Sequence, residues 1–371
     1  MLSLKRGSFL LSGLFAAALQ ASPAVAQEKT LAVFTGPSLA KTVEALATEF
    51  NGKKVAEAEV VSNETQRVIK AFCEGQTEEQ KVLIISRKLS LSEMQRCEKD
   101  GASLMGIQLV RYILGLASNS PSLAFDANPK TIYLGIVDEV PRSAIAGSNL
   151  PARKRLELLN ATSDSFITNP FRTWRDIDAS LPDIEINFVA PDGGSPKVIL
   201  DARLLEAGCR GFAEIKKIFV PENRIRTCTL YRQDGHVTFT EGATFLEATK
   251  DLLAAKKPTI GFVRHADLRL GGVTPLTLKG VDPLDPNFNP KTFATRQGTS
   301  VYFFVQTVYG KGPSKEASPS ASFLTALLSE PVIGPEGAFV KAGFYAQNQK
   351  ERQDVRAVLR SVRGLGAMGV N

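Results

Sequence analysis

The chain has 371 residues, 45 Lys and Arg against 38 Asp and Glu, a net charge of +7, and 43% hydrophobic residues. That apolar content excludes wholesale disorder, and the length fits two domain-sized cores or one large α/β unit. Two distant histidines (His236 and His265), no basic run of five or more, and no zinc-protease, CxxC or P-loop motif argue against a His-rich metal site, nucleic-acid binding and P-loop ATPase chemistry.

In chain order, Met1–Ala26 predicts an export leader. Lys5 and Arg6 precede an apolar run, Phe9–Leu19, that is too short for the roughly 20 residues of a bilayer span. Ala24-Val25-Ala26 follows as a small-residue cleavage site. The expected mature start is Gln27, with a net charge of +5 once Lys5 and Arg6 are gone. No cysteine precedes Cys73, so no lipid-modified cysteine is expected, and the predicted destination is the periplasm. In that oxidising compartment four cysteines allow three connectivities; the local one, Cys73–Cys97 and Cys209–Cys228, is expected.

The mature chain reads as strand–turn–helix units. Thr30–Phe34 predicts a buried strand, Thr35–Ser38 a tight turn, and Leu39, Val43, Leu46 and Phe50 lie at helical spacing. Ala58–Val61, the turn Ser62–Gln66 and the face Val68, Ile69, Phe72 repeat the unit. Val82–Ile85 is a third strand, closed by Ser86-Arg87. Ser90-Leu91-Ser92-Glu93 has capping-box spacing, before a helix ended by Gly101. Ile107–Leu116 predicts a further strand, and Thr131–Val140 and Ala152–Leu159 predict helices. Ile184–Val189 reads as a strand, with the turn Pro191–Pro196 and a helix over Lys197–Ala207. Strands at Thr259–Val263, Val273–Leu278 and Val301–Val308, a loop at Gly310–Pro319, and helices at Ser320–Leu328 and Gln349–Arg363 complete the pattern. The terminal Gly364–Gly369 spells GxGxxG, but too little chain follows it to open a helix.

Four of these strands end in short turns that open helices, at Thr35–Ser38, Ser62–Gln66, Ser86-Arg87 and Pro191–Lys197. Helix N-termini present unpaired N–H groups and a positive dipole end, and hydroxyls add donors, so four such ends converging would hold a small oxyanion without metal or base. Singly, each is also an ordinary N-cap.

The order and spacing of several segments resemble the periplasmic phosphate-binding proteins of ABC uptake systems. They are Phe72-Cys73-Glu74-Gly75, Ile85-Ser86-Arg87, Asn169-Pro170-Phe171 through Leu181-Pro182, Arg232–Gly235, Ile260-Gly261-Phe262 and Gly334–Gly343, and the match spans Leu31–Phe344. The resemblance implies an α/β, two-lobed type II periplasmic-binding-protein fold with an inter-lobe cleft. Residues 27–111 and 268–371 form its first lobe and 112–267 its second. It implies a soluble monomer that captures a small oxyanion, inorganic phosphate first, and delivers it to an inner-membrane ABC permease. No cofactor, metal or chemical step is expected. The implied contact set is Ser38, Thr65, Ser86, Arg87, Gly194 and Ser195. Arg87 carries two readings, a guanidinium fork for the anion or an inter-lobe ion pair.

Departures from the family pattern fall on two turns. Ser62–Arg67 lacks the family's glycines. In place of the family's Ser-Gly-Thr stands Gly194-Ser195-Pro196, with Ala190 where an arginine is expected. Hydrogen bonds to a charged group contribute about 1.5–3 kcal/mol each, so losing two or three weakens binding by orders of magnitude unless replaced. Ser195, Thr65, Arg67 and Lys197 are candidate replacements. Glu64 or Asp192 could accept the proton of a phosphate monoanion or dianion, which sulfate lacks; the plainer reading of each is a solvated carboxylate. Two alternatives follow: a relative of altered or lost specificity acting as a sensor or interaction protein, and a secreted phosphatase-like hydrolase, for which no nucleophile motif is found.

Overall fold

The computed structural model describes residues 30–52, 57–74, 81–98, 102–240, 245–285, 289, 298–308 and 319–361. The expected leader, the helix stop at Gly101, the loop at 310–318 and the Gly364–Gly369 run lie outside the described residues.

Strand β1 (Thr30–Thr35) pairs in parallel with β2 (Glu57–Ser62) and with β3 (Lys81–Ile85). Between them run α1 (Ala40–Asn51) and α2 (Thr65–Glu74). Val43, Leu46, Ala47 and Phe50 form the buried stripe of α1, and Val68, Ile69 and Phe72 that of α2. Full burial of each large side chain contributes about 1.5–3 kcal/mol, which fixes these helices on the sheet. Helix α3 (Leu91–Cys97) begins at the expected capping box: Glu93 N–H donates to Ser90 Oγ, and Ser90 N–H donates to the Glu93 carboxylate.

The next strand, β4 (Ala102–Ser118), runs 17 residues, longer at both ends than the expected Ile107–Leu116. Further along come α4 (Pro129–Ile136), β5 (Phe188–Pro191), α5 (Gly194–Leu200), α6 (Pro221–Thr229), β6 (Val237–Thr240), α7 (Phe245–Ala254) and β7 (Ile260–Arg264). Strand β8 (Gly298–Val308), the short β9 (Tyr345–Ala346) and helix α8 (Gln349–Ser361) follow. The sheet order is β2-β1-β3-β8-β4-β7-β5-β6, with β9 on β4.

Strand direction organises the molecule. Because β8 is antiparallel to both β3 and β4, the strands β1, β2 and β3 point the same way as β4. Strand β7 is antiparallel to β4, and β5 and β6 run parallel with β7. The C-terminal ends of the first set therefore point toward the second set, and those of the second point back. Along β4 the partner changes from β8, up to Ile113, to β7, from Leu114 onward. The expected lobe division after Arg111 falls just before this change.

Several boundaries differ from expectation. The helix expected over Thr131–Val140 stops at Ile136, because Asn169 donates to the carbonyls of Leu134 and Val137 and Asp138 N–H donates to Leu230. Pro141 then sits in a short strand, Glu139–Pro141. The strand expected over Ile184–Val189 starts only at Phe188, since Ile184 and Ile186 pair with Trp174 and Arg172 in a loop. The helix expected from Lys197 begins at Gly194, and an i→i+5 turn interrupts it over Asp201–Leu205. The strand expected over Val273–Leu278 is two short pieces, Thr274–Pro275 and Thr277–Leu278. Both expected disulfides form, with Cα–Cα separations of 4.3 Å for Cys73–Cys97 and 5.6 Å for Cys209–Cys228.

Candidate anion-binding site

The first three turns lie at the C-terminal ends of neighbouring strands. Thr35 is buried and donates from Oγ1 to the Ile84 carbonyl at 3.0 Å, tying the end of β1 to β3. The chain then turns through Gly36-Pro37-Ser38, where Leu39 N–H donates to Gly36 and Ala40 N–H to Pro37. A Cβ on Gly36 would sit 2.8 Å from Thr65 Oγ1. Glycine is therefore what lets the first turn touch the second. Thr65 itself is buried at the first residue of α2, and Ser38 is half-buried. Glu64 is exposed and pairs at 3.5 Å with exposed Arg67, which fits the solvated reading of that carboxylate.

At the end of β3, Ser86 is 2% exposed and its hydroxyl has no hydrogen-bond partner. Buried polar groups are nearly always paired, so an orphaned hydroxyl beside Thr35 and Thr65 turns is a donor in search of an acceptor. Arg87 is differently placed. Its fork grips Glu93 through two 2.8 Å hydrogen bonds and also donates to the Lys88 carbonyl. The partner lies six residues along in the same lobe, so this ion pair is not the inter-lobe one. Burial pushes the Glu93 pKa up, but the hydrogen bonds from Arg87 and Ser90 and the Arg87 charge bring it down to about 2.

In the second set, β5 ends at buried Pro191, followed by exposed Asp192 and by Gly193 as the N-cap of α5. Gly194 takes φ +65°, the left-handed region, which suits glycine and disfavours the serine the family carries there. Ser195 follows as the second residue of α5, and Pro196 contributes no N–H. Lys197 turns away from the turn: its Nζ lies 2.6 Å from Asp201 and 4.8 Å over the Tyr231 ring, while Tyr231 donates to the same carboxylate. Burial raises the Asp201 pKa above its ordinary value, against the opposing effect of the Lys197 and Tyr231 hydrogen bonds. One residue escaped the sequence reading. Thr240, paired in register with Pro191 at the end of β6, is 1% exposed and its hydroxyl also lacks a partner. Its only sequence signal is the alternating run Val237-Thr238-Phe239-Thr240.

The remaining motif residues are structural. Arg232 is fully buried, forks onto Asp234 and donates to the carbonyls of Gly135 and Phe171. Trp174 is buried against Phe125, as a packing anchor. No group of three or more His, Cys, Asp or Glu with metal-holding geometry occurs among the described residues. Nor is any described helix long and apolar enough to cross a membrane.

Two sets of parallel strands aiming their C-terminal ends at a shared junction on β4 define the class: an α/β, two-lobed type II periplasmic-binding-protein fold. Solved structures bear this out. A possible phosphate-binding protein from Planctomyces limnophilus superposes with a TM-score of 0.53 at 16% identity, over 89% of this chain and 97% of that one. A phosphate-binding protein from Stenotrophomonas maltophilia gives 0.54 at 12% identity, over 89% and 94%. An ABC-type phosphate transport receptor from Vibrio cholerae gives 0.51 at 13%, over 86% and 100%. At these identities the likeness is one of fold. No family model matches the chain, and no curated protein sequence matches it.

Proposed function

We propose that this protein is a periplasmic solute-binding protein that holds a small oxyanion, inorganic phosphate first, between its two lobes and passes it to an inner-membrane ABC permease. Binding involves no chemical step. The observation that carries the reading is the buried, partnerless hydroxyl of Ser86 at the end of β3. The neighbours' fold, met in proteins described as phosphate-binding, supports the same ligand class. The proposed contacts are Ser38, Thr65 and Ser86 from the first lobe and Gly194 and Ser195 from the second, with Thr240 added; Arg87, held by Glu93, is left out of the set.

Two ion pairs bear on how the anion is held. Arg87 is spent on Glu93 and Lys197 on Asp201, so hydroxyls and N–H groups carry more of the recognition than fixed cations do. The test is equilibrium dialysis with radiolabelled phosphate on wild type and Ser86→Ala. A hydrogen bond to a charged acceptor contributes about 1.5–3 kcal/mol, so the variant should bind roughly ten- to a hundredfold more weakly. Equal binding by both proteins removes Ser86 from the site and with it the main support for the reading.

A further inference from the structure

A cavity lies where the segment after β7 meets β9 and the start of α8. Its volume is about 690 Å³, within the ~300–1,000 Å³ typical of small-molecule pockets. One wall is the single-turn helix His265–Arg269 that follows β7; the other runs from Val340 through β9 to the start of α8. None of the proposed oxyanion contacts lines it.

The strands beside the two walls pair with different stretches of β4. β7 pairs with the Leu114–Ser118 part of β4, whereas β9 pairs with Val110 and Arg111. Tyr345 donates its hydroxyl proton to His265 Nδ1 across the junction, and Arg264 donates to the Ala342 carbonyl at 3.4 Å. The imidazole is fixed in one tautomer, because its Nε2–H donates to the Pro283 carbonyl at 2.7 Å.

The lining sets Ala266, Val340 and Phe344 beside the amides Gln347, Asn348 and Gln349 and two arginines, Arg269 and Arg352. Arg269 is exposed and makes no ion pair among the described residues. Arg352, also on the wall, is occupied by Glu330 and by the Gln347 carbonyl. The carboxylates on the surrounding elements are committed elsewhere: Glu351 to Arg111, Glu330 to Arg352 and Arg356, and Asp267 to Arg264. Glu336, next to Pro335, stands exposed to solvent. The cavity thus joins apolar and amide side chains to the Arg269 guanidinium, which makes no ion pair among the described residues.

We propose that this cavity is a second binding site, for a small organic anion with an apolar body, whose acidic group pairs with Arg269 and whose body packs on Val340 and Phe344. An occupant touches both the segment after β7 and the segment around β9. The proposal does not depend on the oxyanion reading, and either can fail alone.

The test uses two fluorescent probes of similar shape, the anionic 1-anilinonaphthalene-8-sulfonate and the uncharged N-phenyl-1-naphthylamine, titrated into the purified protein and two variants. Wild type should bind the sulfonate saturably at one site. Arg269→Glu, with its folding checked by melting temperature, should weaken the sulfonate about tenfold or more and the uncharged probe by less than about twofold, because only the former loses a charge pair. Val340→Trp should fill the cavity and weaken both. Sulfonate affinity unchanged in Arg269→Glu overturns the proposal, as does an equal loss of both probes in that variant. The Arg269→Glu comparison stands even if Val340→Trp fails to fold.

Discussion

Single side chains already separate what serves binding from what serves stability. The Ser86 hydroxyl is buried without a partner, and such burial costs free energy in the unliganded protein. Ser86→Ala should therefore leave the unliganded melting temperature unchanged or raise it, by up to about 1 kcal/mol in stability, while it weakens the anion. Calorimetric unfolding without ligand checks this, and a clear destabilisation would mean the hydroxyl has a structural partner. Glu93 has the opposite character. Its pKa falls from an ordinary 4.5 to about 2 in the folded state, so it binds a proton more readily when unfolded. Its contribution to stability is thus complete above about pH 4.5 and is lost as the pH falls toward 2. Glu93→Gln should flatten that acid-side loss in a pH series of denaturant midpoints, while a wild-type slope in the variant would place the acid sensitivity on other carboxylates. The sequence shows both residues but not their difference: Ser86-Arg87 reads as one motif, and only geometry shows Arg87 turned onto Glu93.

Elements were legible where pattern and cap agreed. Val43, Leu46 and Phe50 gave α1 its period, and Ser90 with Glu93 gave α3 its start. The same box at Thr173 and Asp176 opens only a four-residue helix, too short for any period to reveal. The end of α4 was illegible for a different reason. The residues that take its last carbonyls and its outgoing N–H, Asn169 and Leu230, lie far along the chain. Helix α6 carries Pro221, Glu222, Arg224 and Arg226 with little apolar patterning; what holds it is Cys228, bridged to Cys209. A bridge closing a loop of this size contributes about 3 kcal/mol in the chain-entropy account. Replacing both Cys209 and Cys228 by alanine should lower stability by roughly 2–4 kcal/mol, read as a fall in melting temperature. A change near zero would show that packing alone holds α6.

At the scale of the whole molecule, the long strand β4 is the organising device. It exchanges β8 for β7 as partner between Ile113 and Leu114, so that the two strand sets face each other across the junction. The sequence showed the strand but not this crossing, because a buried run such as Ile107–Leu116 carries no mark of which partner it meets. The strand-end turns, by contrast, were legible as Ser, Thr and Gly clusters. Thr240 was not, since a strand ending in threonine is unremarkable until Pro191 is seen beside it. The proposed function requires that these turns together hold phosphate despite the losses at Gly194 and Pro196. It is tested most directly by calorimetric titration of ligand-stripped protein with phosphate, with sulfate as control. Saturable phosphate binding at about micromolar affinity or tighter, with weaker sulfate binding, is the expected result; no heat with phosphate, from a protein shown to be folded, would rule the phosphate site out.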